Sequence, residues 1–370
     1  LAFALSPRIS TMAAPTYSRE RDIAELAVLR ACVLTKKVLS TVDEISKSDL
    51  TPVTVADFAA QALLISALEA AFPRYGVLGE EDATELRHDA KLREKVFGLV
   101  SSVNVPSVPN GAGPVDLASP SSEQEMMEMI DRGGNGKGGR EGFYWIMDPV
   151  DGTKAFLEGK QYAVSLALMK DGKEVVGVMG CPNLKLQNGR VSEDTVDKDG
   201  LGVIITAVKG QGATIRYVSA NGTLSPREVL KSLPQPKSIN NLHFVGCTAS
   251  KALRHDIPEA LARKLGTPDP GTNVWSSHMR YASLILGGGD LQVRVPRKNV
   301  EPVSVRVWDH AGSQLIFTEL GGKVTDLDGR EMDFGAGRSF FNNRGMVVAK
   351  REIHGEILGL VRELLGEPQL

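Results

Sequence analysis

Asp148-Pro149-Val150-Asp151-Gly152-Thr153 follows directly on the apolar run Phe143-Tyr144-Trp145-Ile146-Met147. The run reads as a buried strand, and Pro149 and Gly152 impose a tight turn at its end. Two carboxylates three residues apart on such a turn can converge on one point, with the Val150 carbonyl between them. Hard cations such as Mg²⁺ take oxygen ligands of this mixed kind and keep several waters. Gly152 and Thr153 then present backbone N–H groups and a hydroxyl where a helix can begin, and such an end attracts phosphate. Taken alone, an Asp-Pro turn with an Asx cap is an ordinary structural feature. Its reading as a site depends on what the rest of the chain supplies.

Three other acidic clusters sit at comparable junctions. Gly79-Glu80-Glu81-Asp82 closes the short apolar run Tyr75 to Leu78. Trp308-Asp309-His310-Ala311-Gly312 opens an apolar helix, where Asp309 is either an N-cap or a ligand. Thr51-Pro52-Val53-Thr54-Val55-Ala56-Asp57 leads into another helix, and Asp57 too has a capping role open to it. Four carboxylate clusters, each where a strand or loop changes direction, fit a shared cation site better than four unrelated caps.

Working outward, helices are expected at Arg19 to Leu39, at about Ala56 to Ala71 before Pro73, and at about Glu123 to Ile130, with a charged helical piece ending near Val100. A Ser/Pro/Gly-rich linker, Ser101 to Pro120, reads as a mobile surface loop. The glycine-rich Arg132 to Gly142 reads as a tether or as a flap over a site. Tyr162 to Met169 and Val175 to Met179 form strands around a turn, and Leu201 to Ala207 with Ala213 to Val218 form a hairpin. Asn221 to Asn241 is polar and proline-bearing, as a domain junction would be. Beyond it, strands near 242–246, 290–294 and 345–349 alternate with helices near 257–265, 277–287, 309–320 and 351–365. This order gives an α/β protein with an α+β N-terminal half and an α/β C-terminal half. Residues 1–18 are expected to be an extension without fixed structure, 19–220 an α+β metal-binding domain with the 101–120 loop and the glycine-rich 132–142 segment, and 221–370 an α/β substrate-binding domain.

The 370 residues carry a net charge of -2, so no bulk electrostatic grip on nucleic acid or anionic membrane is expected. An anion must be bound locally. Cys32, Cys181 and Cys247 are too widely spaced for a disulfide framework or a zinc site. No apolar run approaches the roughly 20 residues of a membrane span. A cytoplasmic protein is expected. Residues 1–11, with Arg8, two serines and no acid, are read as an upstream extension before Met12, with a mitochondrial import segment as the alternative.

The segments Gly79-Glu80-Glu81-Asp82, Asp148 to Thr153 and Trp308 to Gly312 resemble the metal-binding motifs of the inositol monophosphatase superfamily, lithium-sensitive and Mg²⁺-dependent phosphatases. Order and spacing agree over nearly the whole chain from about residue 19. Within it, the chain is most similar to the bisphosphate nucleotidase branch. Thr51 to Thr54 with Asp57-Phe58-Ala59-Ala60-Gln61, Asp151-Gly152-Thr153-Lys154-Ala155-Phe156-Leu157, Gly180-Cys181-Pro182-Asn183-Leu184 and the lead-in Gly138 to Trp145 carry that likeness. Lys154 after the threonine is the mark of that branch, which makes the glycine-rich tract a family feature.

The resemblance implies a layered α/β/α/β/α sugar-phosphatase fold. It implies that Glu80, Asp148 and the Val150 carbonyl hold one Mg²⁺, that Asp148, Asp151 and Asp309 hold a second, and that a weaker third sits near Glu80. It makes Asp57 and Thr153 the pair that orients and deprotonates the attacking water. The substrate would meet Asp151, Gly152, Thr153 and Asp309 at the reacting phosphate, and His255, Ser277, Arg280 and Arg294 at the ribose, base and 5′-phosphate. A guanidinium grips a phosphate bidentately. The implied reaction removes the 3′-phosphate of 3′-phosphoadenosine 5′-phosphate by in-line attack, with the 5′-phosphosulfate relative also accepted, a place in sulfate assimilation. The partner is this small nucleotide alone, with no nucleic acid or membrane, and the chain is expected to act as a monomer.

The chain departs from the pattern in places. His310-Ala311-Gly312-Ser313 shifts the small pair after Asp309. Arg280 stands where lysine is usual, which keeps the charge and changes the geometry. The linker 101–120 has no counterpart. His243, His278, His310 and His354 read as surface or core residues, since nothing in this chemistry demands histidine. Two alternatives stay open: an inositol polyphosphate 1-phosphatase or inositol monophosphatase, and a non-catalytic nucleotide-binding scaffold.

Overall fold

The computed structural model describes residues 16–40, 52–103, 117–267, 270–297 and 305–368. Helix α1 (Ser18–Ser40) carries Glu20 in its first turn and Lys37 in its last, complementing the helix dipole. Helix α2 (Pro52–Ala71) begins earlier than the sequence suggests, because proline's fixed φ suits the first helical position. From Val55 to Leu68 every side chain of α2 is buried. The helix is apolar all round because other elements surround it, so a single amphipathic stripe is not needed. Strand β1 (Gly76–Leu78) follows, then α3 (Thr84–His88), α4 (Ala90–Ser101) and α5 (Glu123–Gly134). Asp89 caps α4 by accepting from the Leu92 N–H, and Ser122 caps α5 by accepting from the Glu125 N–H.

Strands β2 (Phe143–Asp151), β3 (Ala163–Lys170) and β4 (Lys173–Cys181), with the five-residue helix α6 (Thr153–Leu157) between β2 and β3, open the main sheet. The small hairpin β5 (Leu184–Gln187) and β6 (Arg190–Val196) stands apart, and β7 (Val203–Val208), β8 (Ala213–Tyr217) and β9 (Glu228–Val229) complete the sheet. Its order is β1-β2-β3-β4-β7-β8-β9. Only β1–β2 is parallel. Alternation along β2 sends Trp145 and Met147 toward α1 and α2, and Tyr144 and Ile146 to the opposite face.

The chain continues through β10 (Val245–Gly246), β11 (Leu253–Arg254), α7 (Asp256–Lys264), β12 (Thr272–Asn273), α8 (Ser277–Ile285), β13 (Leu291–Pro296), α9 (Ser313–Glu319), β14 (Gly322–Thr325), β15 (Met346–Lys350) and α10 (Arg351–Leu365). A four-stranded sheet runs β11-β13-β15-β14, with every pairing antiparallel. Met346 and Val348 of β15 face α8 and α9, while Val347 and Ala349 face α7 and α10. The layers are therefore α1 and α2, the main sheet, α8 and α9, the second sheet, then α7 and α10. This is the α/β/α/β/α arrangement.

Several local expectations change. The β5–β6 hairpin and β14 carry polar or short runs that pattern alone passes over. The helix expected over 309–320 starts at Ser313, because Gly312 adopts a φ of 89° and breaks the turn before it. The polar stretch 221–241 is no free junction: Arg227 donates to Glu25 and Asp22 of α1. Most of the expected 101–120 loop, and the segments 1–11 and 41–51, lie outside the described residues. At the far end of that loop, the buried Arg30 guanidinium holds the Leu117 and Ala118 carbonyls at 3.1 and 2.9 Å. Among the described residues no helix is long and apolar enough to cross a membrane.

Candidate active site

The site is built where β2 runs out. Register between β2 and β3 breaks between Asp148, opposite Ser165, and Asp151, opposite Ala163. Pro149, without an N–H, and Val150 have no register partner there. Gly152 then turns with φ 94°, and a Cβ on it would meet the Ser276 Cβ at 2.9 Å. Only glycine allows the chain to leave the strand this close to α8.

Asp148 is 2 % exposed, and its Oδ1 has no hydrogen-bond partner. Burial drives its carboxyl well above the usual range, and the nearby charges of Glu80, Asp151, Asp309 and Asp57 push it further. Asp309 rises to about 7 through burial and the Asp151 charge, although Arg294 pulls it down. Glu80 also rises to about 7. Its surface is open to solvent, yet protein crowds its inner side, and Glu81 and Asp151 add repulsion that Arg306 and Arg338 partly offset. Asp57 is buried and raised well above its ordinary value by burial, then by Glu81 and Glu80. Five carboxylates from β2, the Glu80 turn, α2 and the Asp309 turn thus face one region with too little positive charge to balance them.

Among the described residues no three His, Cys, Asp or Glu side chains stand close enough together to hold an ion as they are. The donor set nevertheless fits a hard divalent cation: oxygen only, several carboxylates, and a buried orphan oxygen on Asp148. Asp151 is already held. Its Oδ2 accepts from the Ser276 hydroxyl and, at 2.6 Å, from the His278 N–H. The His278 ring in turn donates from Nε2 to the Trp308 carbonyl at 2.9 Å, while Nδ1 accepts from Ser313 Oγ at 2.7 Å. Burial lowers the His278 pKa, so the ring is neutral and acts as a strap between the Asp151 and Asp309 turns. Gln61 does the same for the Glu80 turn, accepting from the Glu81 N–H at 3.0 Å and donating to the Glu81 carbonyl at 2.7 Å. No hydrogen bond joins Asp57 to the exposed Thr153 at the start of α6.

On the side of Asp309 where Arg294 and Arg280 lie, a cleft is lined by His255, Arg280 and Arg294 among the residues singled out from sequence, and by Phe244, Cys247 and Gln292, which were not. Arg294 reaches His310 Nε2 at 3.1 Å and leaves its buried Nε without a partner. Burial and then Arg280 lower its pKa to about 10. Arg280 also leaves its buried Nε without a partner, but its Nη groups are committed: they donate to the Val274 and Trp275 carbonyls at 3.1 and 2.7 Å and to Ser277 Oγ at 2.7 Å. Ser277 is outside the cleft lining, held by that bond. His255 Nε2 donates to the Ser250 carbonyl at 2.7 Å. His278, His310 and His354 are fully buried, as core residues.

Residues 17–365 match the model of the inositol monophosphatase family. A 3′(2′),5′-bisphosphate nucleotidase of Emericella nidulans is 36% identical over 359 residues, 95% of this chain and 99% of that protein. The 3′(2′),5′-bisphosphate nucleotidase of Schizosaccharomyces pombe is 35% identical over 350 residues, 93% of this chain and 95% of that protein. Among solved structures, Mycobacterium tuberculosis SuhB superimposes with a TM-score of 0.57 at 19% identity, covering 96% of this chain and 100% of that one. At that identity the structural likeness bears on the fold.

Proposed function

The chain belongs to the inositol monophosphatase family, and from that premise we propose that it is a phosphoric monoester hydrolase that converts 3′-phosphoadenosine 5′-phosphate to AMP and phosphate, as the names of its relatives suggest. The 5′-phosphosulfate relative is the second substrate of this reading. What supports a catalytic role for the site is the buried, unpartnered Asp148 oxygen facing four further carboxylates.

Glu80, Asp148, Asp151, Asp309 and the Val150 carbonyl are the groups that would hold Mg²⁺. Bound there, Mg²⁺ supplies the positive charge that neutralises a phosphoryl group and acidifies water. The protein's own part is positioning. Ser276 and the His278 N–H aim Asp151, and Gln61 fixes the turn that carries Glu80. Asp57 is the proposed proton acceptor for the attacking water, with Thr153 at the N-terminus of α6 as its neighbour in that step. Arg294, with an uncommitted Nε beside the cleft, is the proposed grip on the 5′-phosphate that stays. His255 is assigned to the nucleoside end. Arg280 and Ser277 are assigned to shaping that wall, since the two Nη groups of Arg280 are spent on Ser277 and on the Val274 and Trp275 carbonyls, although its Nε, like that of Arg294, has no partner. In this reading residues 19–220 supply the metal carboxylates other than Asp309, and residues 221–370 the nucleotide-binding groups.

The test is phosphate release from 3′-phosphoadenosine 5′-phosphate beside inositol 1,4-bisphosphate, with magnesium and then with EDTA. A higher kcat/KM for the nucleotide that EDTA abolishes is the expected result. Preference for the inositol substrate would keep the site and overturn the substrate. No release from either would favour a binding role without catalysis.

A further inference from the structure

Arg338 lies outside every motif that marked the site, yet it touches two of its walls. Its Nη2 donates to the Gly79 carbonyl at 2.8 Å and to the Glu80 carbonyl at 3.3 Å. Its Nη1 donates to the carbonyls of Gly133, Gly134 and Gly136 at 3.3, 2.9 and 3.1 Å. The guanidinium lies over the Trp308 ring, 4.6 Å from its centre. The Arg338 carbonyl accepts from the Val307 N–H at 3.2 Å, and the Phe340 N–H donates to the Val305 carbonyl at 3.0 Å. The main chain of this residue is therefore stitched to the segment that leads into Asp309, while its side chain grips the turn that carries Glu80.

The glycine-rich tract makes the grip possible. A Cβ on Gly134 would meet the Glu81 carbonyl oxygen at 2.5 Å, and one on Gly136 would meet that of Val77 at 2.0 Å. Bare backbone is needed for the end of α5 to lie against the Glu80 turn, and its carbonyls then converge on one guanidinium. The tract is neither tether nor flap but the floor under Glu80. A planar fork with donors on two sides suits this task, whereas a lysine offers one point of charge.

We propose that Arg338 is a positioning residue for the divalent cation: its fork holds the Glu80 turn against the Trp308–Asp309 turn, so cation affinity depends on a residue that contributes no ligand. The proposal rests on the magnesium reading above. If the arginine were only structural glue, its loss would lower the melting temperature and leave magnesium binding by the folded protein unchanged.

The experiment is calorimetric Mg²⁺ titration of the metal-free full chain as wild type, Arg338→Gln and Arg338→Lys, with amide hydrogen exchange read at residues 79–82 and melting measured in EDTA. Both variants should bind Mg²⁺ about 10- to 100-fold more weakly, the usual cost of losing a residue that orients a ligand. Exchange at 79–82 should quicken while that of β3 and β4 stays as in wild type. At saturating magnesium the nucleotide KM should return to the wild-type value. Wild-type affinity and exchange in Arg338→Gln would overturn the proposal, and so would full rescue by Arg338→Lys, which would leave charge as the whole effect. Should Arg338→Gln fail to fold, Arg338→Lys decides alone. A wild type that gives no magnesium heat and whose melting temperature is not raised by saturating magnesium over EDTA would refute the magnesium reading itself, and the exchange rates would then decide whether Arg338 holds the turn.

Discussion

Asp309→Asn should make the magnesium-free protein more stable while removing its response to magnesium. The Asp309 carboxyl is pushed from 3.8 to about 7, chiefly by burial and by the Asp151 charge. The folded protein therefore holds a proton that the unfolded chain releases between about pH 4 and 7. Its folded pKa lies above the unfolded one, so the penalty is absent below about pH 4, grows as pH rises, and is complete above about pH 7. At about 1.36 kcal/mol per pH unit the full penalty is about 4 kcal/mol, and partial exposure of Asp309 to solvent reduces it to about 2–4 kcal/mol. Asparagine has nearly the same shape and no charge. The variant's advantage in EDTA should grow across that window. With an unfolding entropy of about 2.1 cal/mol/K per residue over 370 residues, it should reach roughly 3–5 °C in Tm at pH 8. The buried histidines also titrate with folding, but they are common to both proteins and cancel in the difference. Magnesium should raise the wild-type Tm, by about 2.7 kcal/mol of stability at a hundredfold excess over Kd, and leave the variant nearly unmoved. Differential scanning calorimetry at pH 5, 6.5 and 8, with EDTA and with magnesium, measures all of this. A variant no more stable than wild type at pH 8 in EDTA, or one that gains as much from magnesium, would refute the reasoning.

Arg294→Ala should raise the nucleotide KM by about 10- to 100-fold with a smaller effect on kcat, as expected for losing a charged hydrogen bond to a group that does not react; steady-state phosphate release reads both constants. Arg280→Ala should act differently, lowering Tm, because that guanidinium holds the Val274 and Trp275 carbonyls. Glu25→Ala should cost about 3–5 kcal/mol in urea unfolding, since it strips the buried Arg216 of its carboxylate partner at 3.1 Å. Lithium at millimolar concentration should slow phosphate release at fixed magnesium, an expectation that comes from the family resemblance, and an unchanged rate would remove it.

The carboxylates were legible in the sequence because each stands beside local punctuation. Pro149 and Gly152 force the turn at Asp148 and Asp151, Gly79 marks the one at Glu80, and Gly312 halts the chain behind Asp309. Turn chemistry is a short-range property and shows in a single sequence. The layered fold was legible for the same kind of reason: β2 and β15 open as short continuous apolar runs of strand length, buried on both faces, and α10 shows a helical stripe. What aims the carboxylates was not legible. Gln61 sits in the middle of an apolar helix, 20 positions from Glu81. Ser276 and His278 meet Asp151 across more than a hundred residues. Arg338 is 258 positions from Glu80. Their partners are set by the packing of distant layers, and no local pattern encodes a contact at that separation. The β5–β6 hairpin escaped notice because one of its faces is exposed and polar, so it lacks the apolar run by which a strand is recognised.

The net charge of -2 conceals a strong local ordering of charge. Asp57, Glu80, Asp148, Asp151 and Asp309 crowd together, and Arg280, Arg294, Arg306 and Arg338 border them, with Arg294 opposing Asp309 and Arg306 and Arg338 opposing Glu80. The arginines do not neutralise the carboxylates, since Glu80 and Asp309 still sit near 7. Full pairing would make the protein alone more stable and leave nothing for a cation to gain. In the function proposed above, the remaining excess of anion is what a divalent cation would neutralise, and Arg294, in the lining of the cleft, is the group proposed to meet the charge on a substrate. The neighbouring histidines obey the same balance. Burial and Arg294 hold His310 well below its ordinary pKa, so the imidazole stays neutral and adds no further positive charge beside the cleft. A phosphatase whose substrate and cation carry opposite charges needs both kinds of field a few ångströms apart. The turn at Gly312 and the strap through His278 place the Asp309 carboxylate at the boundary between them.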